Sequence, residues 1–80
     1  MTVRVLLFAS YADALGSSEV AIDVPDGSRV GDVLARVKAM AGTKRLPDKP
    51  LVAINQVYAT DEQTVTTHDE VAIIPPVSGG

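Results

Sequence analysis

The chain opens on an alternation of apolar and polar positions. From Thr2 to Phe8, Val3, Val5 and Leu7 fall on one side of an extended backbone, and Arg4, Leu6 and Phe8 fall on the other. That two-residue period predicts a β-strand. Arg4 marks the wetter side, where Leu6 and Phe8 leave a surface to be covered by a partner or by another part of the chain. Ala9 to Leu15, ending at Gly16, predicts a short helical turn closed by a glycine cap. Glu19 to Val24 alternates again, with Val20, Ile22 and Val24 set against Glu19, Ala21 and Asp23. It predicts a second strand, antiparallel to the first.

The period then changes. Beyond the turn Pro25-Asp26-Gly27, Val30, Val33, Leu34, Val37 and Ala41 follow the spacing of one buried helical stripe. Ser28 is the expected N-cap, and Gly31 stands where Glu or Gln would complete a capping box. Asp32 puts negative charge in the first turn, where the helix dipole favours it, and Gly42 supplies the stop. Residues 42–50, with Lys44, Arg45, Pro47, Asp48, Lys49 and Pro50, read as a solvated loop. Leu51 to Ile54 and Val57 to Ala59 predict short strands joined by Asn55-Gln56 in a tight hairpin, because Asn tolerates positive φ. Val65 is the one apolar residue between Thr60 and Asp69 and is expected in the core. His68-Asp69 is a turn before the last strand, Glu70 to Ile74, in which Val71 and Ile73 face the core and Ala72 and Ile74 face the other way.

Strand, strand, helix, strand, strand, strand defines an α+β fold: a mixed sheet of about five strands with one main helix on one face. The opposite face keeps Leu6, Phe8, Tyr58 and Ile74. Residues 1–74 form the expected domain, and residues 75–80 a flexible Gly-Gly tail. Pro75-Pro76 ends the sheet, since proline lacks an N–H, and projects the chain as a stiff stem. Gly79 and Gly80 make the tip as thin as a polypeptide can be. Such an end can enter a narrow channel and deliver its carboxylate there. The plainer alternative is a frayed terminus or an expression remnant.

Composition narrows the chemistry. Eighty residues form one small domain. Phe8, Tyr11 and Tyr58 are the only aromatics, so the core is aliphatic. There is no cysteine, which excludes disulfides, thiol nucleophiles and thiolate metal sites. The net charge of −3 argues against nucleic acid as a partner. No apolar run is long enough to span a bilayer, and Arg4 with the apolar residues after it reads as a strand rather than a signal peptide. A cytoplasmic location follows as the default. No glycine-rich phosphate loop is present. The serines have no nucleophile elbow, and His68 has no neighbouring histidine or cysteine, so no metal site is expected. Asp61-Glu62 and Asp69-Glu70 read as solvated edges. The chain is not expected to run a reaction alone, which leaves the tail as the candidate chemistry.

In this order the residues resemble a known family. The element order resembles the β-grasp, or ubiquitin-like, fold. The stretches Val5-Leu6-Leu7-Phe8-Ala9 with Gly16, Pro25 to Leu34, Ala53-Ile54-Asn55-Gln56, Asp69-Glu70-Val71-Ala72 and Pro75-Pro76-Val77-Ser78-Gly79-Gly80 resemble the small, sulfur-carrying subunit of molybdopterin synthase. The resemblance implies that a ubiquitin-activating-like adenylyltransferase uses ATP to adenylate the Gly80 carboxylate. A sulfur donor protein then converts it to a thiocarboxylate, and the sulfur passes to a pterin precursor within the large synthase subunit. It implies no bound cofactor, a heterotetramer, a tail of Pro75, Pro76, Val77, Ser78 and Gly79 gripped by the partner, and a partner interface at Phe8, Tyr58 and Ile74. Many members carry arginine where this chain has Ala12, and Asp-Gly where it has Thr67-His68. The latter predicts a glycine-like backbone at His68, at a cost of roughly 1 kcal/mol. A sulfur carrier for thiamine or cysteine synthesis, a ubiquitin-like modifier of lysines and a plain binding module are the alternatives.

Overall fold

The computed structural model describes residues 1–42 and 50–75. Its elements follow the order β1 (Thr2–Leu7), α1 (Ala9–Leu15), β2 (Glu19–Asp23), α2 (Val30–Ala41), β3 (Leu51–Ile54), β4 (Val57–Ala59) and β5 (Glu70–Ile74). The sheet is mixed and five-stranded, in the order β2-β1-β5-β3-β4. β1 pairs antiparallel with β2 and parallel with β5. β3 lies antiparallel to both β5 and β4.

The alternation read from the sequence sets which side of the sheet is dry. Val3, Val5, Leu7, Ile22, Val52, Ile54, Val71 and Ile73 are buried on the face that α2 covers. The helix contributes Val30, Val33, Leu34, Val37 and Ala41, the whole predicted stripe. Fully burying one such aliphatic side chain is worth about 1.5–3 kcal/mol, so this single interface carries most of the stability. Val65 is buried with them, and Tyr11 of α1 closes the core with 0% exposure. Gly16 caps α1 in the left-handed conformation, φ 69°, which costs glycine little.

Two local expectations are corrected. The N-cap of α2 is Arg29, not Ser28. Ser28 is already committed: its hydroxyl donates to the Pro25 carbonyl at 2.6 Å, and its carbonyl accepts from Val65 N at 3.0 Å. A guanidinium has no acceptor, so the Arg29 side chain cannot serve the helix amides. Asp32 supplies the reciprocal half of the cap, its Oδ2 accepting from Arg29 N at 2.8 Å. The segment after β4 satisfies two further amides. Val30 N donates to the Gln63 carbonyl and Gly31 N to the Asp61 carbonyl, both at 2.9 Å, so groups a helix start leaves orphaned are paired by tertiary contact.

The second correction is His68. The described non-glycine residues with positive φ are Ala9 (49°), Asn55 (52°) and Gln56 (70°), and His68 is not among them. The turn is held instead by Asp69, whose Oδ2 accepts from Thr66 N at 2.8 Å, and by Asp69 N donating to the Thr66 carbonyl at 3.1 Å. A side-chain acceptor thus closes the loop without a left-handed residue. The Asn55-Gln56 hairpin stands as read, with both central residues at positive φ, as its type requires.

Candidate docking face and C-terminal strand

The face of the sheet away from α2 is built by the same registers. Leu6 lies opposite Ala72, Ala72 opposite Ala53, and Ala53 opposite Tyr58. One row therefore crosses four strands with two alanines at its centre and larger side chains at its ends. Short side chains lower the floor, and Leu6, Phe8, Tyr58 and Ile74 stand around it. The result is a shallow depression of about 380 Å³, with Gln56 and Glu70 on its rim.

The residues proposed from the sequence as an interface, Phe8, Tyr58 and Ile74, all line this depression. They come from three regions of the chain. β1 ends at Leu7, one residue short of the predicted strand, and Phe8 follows it in extended backbone, φ −126° and ψ 150°. Tyr58 lies on the edge strand β4 and is 70% exposed; Phe8 is 46% exposed. Ile74 is half-buried at the end of β5. Large apolar side chains this exposed, gathered around one depression, mark a surface suited to an apolar partner. The alanine floor was the part missed from sequence. Ala53 and Ala72 look unremarkable singly, and only the registers set them side by side.

Polar groups hold the ends of this face. Arg4 Nε donates to Glu19 Oε1 at 2.7 Å across β1 and β2. At the hairpin end, Asn55 Nδ2 donates to Asp69 Oδ1 at 2.9 Å, and Glu70 N donates to Asn55 Oδ1 at 2.9 Å. Asp69 is held below the usual carboxylate range, first by the Thr66 backbone N–H and then by the Asn55 side chain. Together these bonds tie the β3–β4 turn to the start of β5.

β5 leads out of this face. Its last paired residue is Ile74, opposite Leu51, and Pro75 has no N–H with which to continue the ladder. Of the tail residues proposed from the sequence, Pro75 is described; Pro76, Val77, Ser78, Gly79 and Gly80 lie outside the described residues. A larger depression, about 740 Å³, lies where β2 leads into α2, among Asp23, Asp26, Ser28, Asp32 and Arg36. It lies at the β2 edge of the sheet, with β1 between it and β5, and no group of residues that could hold a metal ion occurs among the described residues. No described helix is long and apolar enough to cross a membrane.

A helix packed on a mixed five-stranded sheet, with a parallel central β1–β5 pair, defines a ubiquitin-like β-grasp protein. The ThiS family model matches residues 5–80, and the chain belongs to that family. Its relatives include the molybdopterin synthase sulfur carrier subunit of Chlamydomonas reinhardtii, 37% identical with both chains covered completely. Among solved structures, SAMP1 (small archaeal modifier protein 1) from Haloferax volcanii superposes with a TM-score of 0.81 at 30% identity, each chain fully covered. A complex of subunits 1 and 2 of molybdopterin-converting factor from Helicobacter pylori includes a chain that shares the fold, with a TM-score of 0.68, 20% identity and full coverage of both chains.

Proposed function

We propose that this protein is the sulfur-carrying small subunit of a molybdopterin synthase, with Gly80 as the carrier. The observation that supports this most directly is likeness over the whole chain to a relative of that name. In the proposed cycle an adenylyltransferase joins the Gly80 carboxylate to AMP from ATP and releases pyrophosphate. A sulfur donor then displaces AMP, leaving a C-terminal thiocarboxylate. Adenylation is needed because a carboxylate is a poor electrophile, and AMP gives it a leaving group. Inside the large subunit the thiocarboxylate gives its sulfur to the pterin precursor, and water restores the carboxylate.

On this reading the domain of residues 1–74 is a handle. The depression around Phe8, Tyr58 and Ile74 docks on the large subunit, and Pro75 to Gly79 carry the terminus into its channel. The protein binds no cofactor of its own; ATP belongs to the activating enzyme. The test is a reconstituted synthase with the chain lacking Gly80. Molybdopterin formation should be lost while the truncated chain still binds the large subunit; undiminished formation would end the proposal.

A second reading has its own support. The likeness to SAMP1, whose full name describes a modifier, favours transfer of the Gly80 acyl group to a lysine amine. Incubation with the activating enzyme, ATP and a cell extract separates the two. A carrier gives a free chain with sulfur at its terminus, and a modifier gives stable high-mass conjugates.

A further inference from the structure

The depression around Ala53 and Ala72 has two unlike ends. Phe8 and Ile74 make one end apolar; Gln56 in the hairpin and Glu70 at the start of β5 put polar groups at the other. The Glu70 backbone is pinned there from both sides. Its N–H donates to Asn55 Oδ1 at 2.9 Å, and its carbonyl accepts from Asn55 N at 2.8 Å. Its side chain is not engaged. Glu70 is partly buried, yet among the described residues no hydrogen bond or ion pair reaches its carboxylate. The neighbouring carboxylate, Asp69, is taken by Asn55 Nδ2 and Thr66 N. The cation that the strand register sets beside Glu70 is Arg4, but its Nε donates to Glu19 at 2.7 Å, across the β1–β2 pair.

A partner that covers the depression takes this carboxylate out of water, and a covered carboxylate without a counter-charge is heavily penalised. A lysine would answer it as a point charge. A guanidinium answers more of the site. Its planar fork bonds a carboxylate through two N–H groups, a further N–H reaches an amide carbonyl, and its face stacks on an aromatic ring. Carboxylate, amide and ring line one depression here as Glu70, Gln56 and Tyr58, with the ring 70% exposed. We propose that the hairpin end of the depression receives an arginine side chain of the docking partner, with Glu70 as its counter-ion and Tyr58 as its stacking surface. This rests on the docking face of the proposed function and adds the residue type that the large subunit presents to it.

The test has two arms, both with the full chain. In the first, affinity for the large subunit is measured across a range of salt concentrations. Glu70→Gln, which keeps the shape and removes the charge, should lose about tenfold or more at low salt and depend less on salt than wild type. Tyr58→Phe keeps the ring and should hold the affinity within about twofold, while Tyr58→Leu should lose about two- to fivefold. Glu70→Gln binding as tightly as wild type, or losing the same factor at every salt concentration, would overturn the inference. In the second arm the free chain is titrated with N-acetyl-arginine amide and, separately, with its lysine counterpart, and backbone amide shifts are followed by NMR. The arginine probe should move Gln56, Tyr58 and Glu70 more than the lysine probe does, and Glu70→Gln should abolish the difference. Equal response to the two probes, or no response at these residues, would also overturn it. Phe8→Ala serves as the reference. If it binds the large subunit as tightly as wild type, the docking face is wrong, and the probe titration of the free chain still decides whether the site at Glu70 exists.

Discussion

Truncating Phe8 and Tyr58 to alanine should divide stability and affinity in opposite orders. Fully burying a large apolar side chain is worth about 1.5–3 kcal/mol. Phe8 is 46% exposed, so folding already secures about half of that value, and docking can secure the remainder, each about 1 kcal/mol. Tyr58 is 70% exposed. Folding has gained only about a third of its value, and docking can gain about two thirds, roughly 1–2 kcal/mol. Phe8→Ala should therefore lose about 1 kcal/mol of stability and about fivefold in affinity for the large synthase subunit. Tyr58→Ala should lose less stability and more affinity, on the order of tenfold. Neither should unfold a domain whose expected stability is about 4–12 kcal/mol. Urea denaturation gives the first quantity and titration calorimetry against the large subunit gives the second. If the affinity losses instead follow the stability losses, or if neither variant loses affinity, the face around Ala53 and Ala72 is not the interface.

Other outcomes follow from the hairpin end of the sheet. Asp69 titrates below the usual aspartate range in the folded chain because the Thr66 N–H and Asn55 hold it ionised. Its contribution to stability is thus present at neutral pH and lost as pH falls below about 4 and through its lowered value. Asp69→Asn should lower the urea midpoint near neutrality and converge on wild type at acid pH; a constant difference across that range would contradict this cause. Gln56 holds φ 70°, so Gln56→Gly should relieve strain and leave stability equal or higher by up to about 1 kcal/mol, seen as a rise of a few degrees in Tm. A clear fall in Tm would show that the Gln56 side chain contributes more than its backbone strain costs.

Periodicity made most of this fold legible. Val3, Val5 and Leu7, the α2 stripe and Val71 with Ile73 announced their burial because each repeats at the period of its element. The same alternation placed Phe8 and Ile74 on the opposite face. What it could not give was anything set by contacts distant in sequence. Ser28 has the residue type of an N-cap, yet its carbonyl is claimed by Val65 and its hydroxyl by Pro25. His68 was expected to need a glycine-like backbone, but Asp69 closes that turn with its side chain. Ala53 and Ala72 form the floor of the candidate docking face only because β3 and β5 pair in one register. The positive φ of Ala9 was hidden as well, because nothing local marks an alanine as left-handed.

If Gly80 is the sulfur carrier, one atom of its carboxylate is exchanged, and intact-mass measurement detects that exchange. The chain is incubated with its activating enzyme, ATP and a sulfur donor, then weighed beside a sample lacking ATP. An ATP-dependent species heavier by the difference between one sulfur and one oxygen is expected, placed at Gly80 by fragmentation and lost when the large subunit and pterin precursor are added. A mass that stays unchanged, or one that rises only through linkage to other proteins, would contradict it.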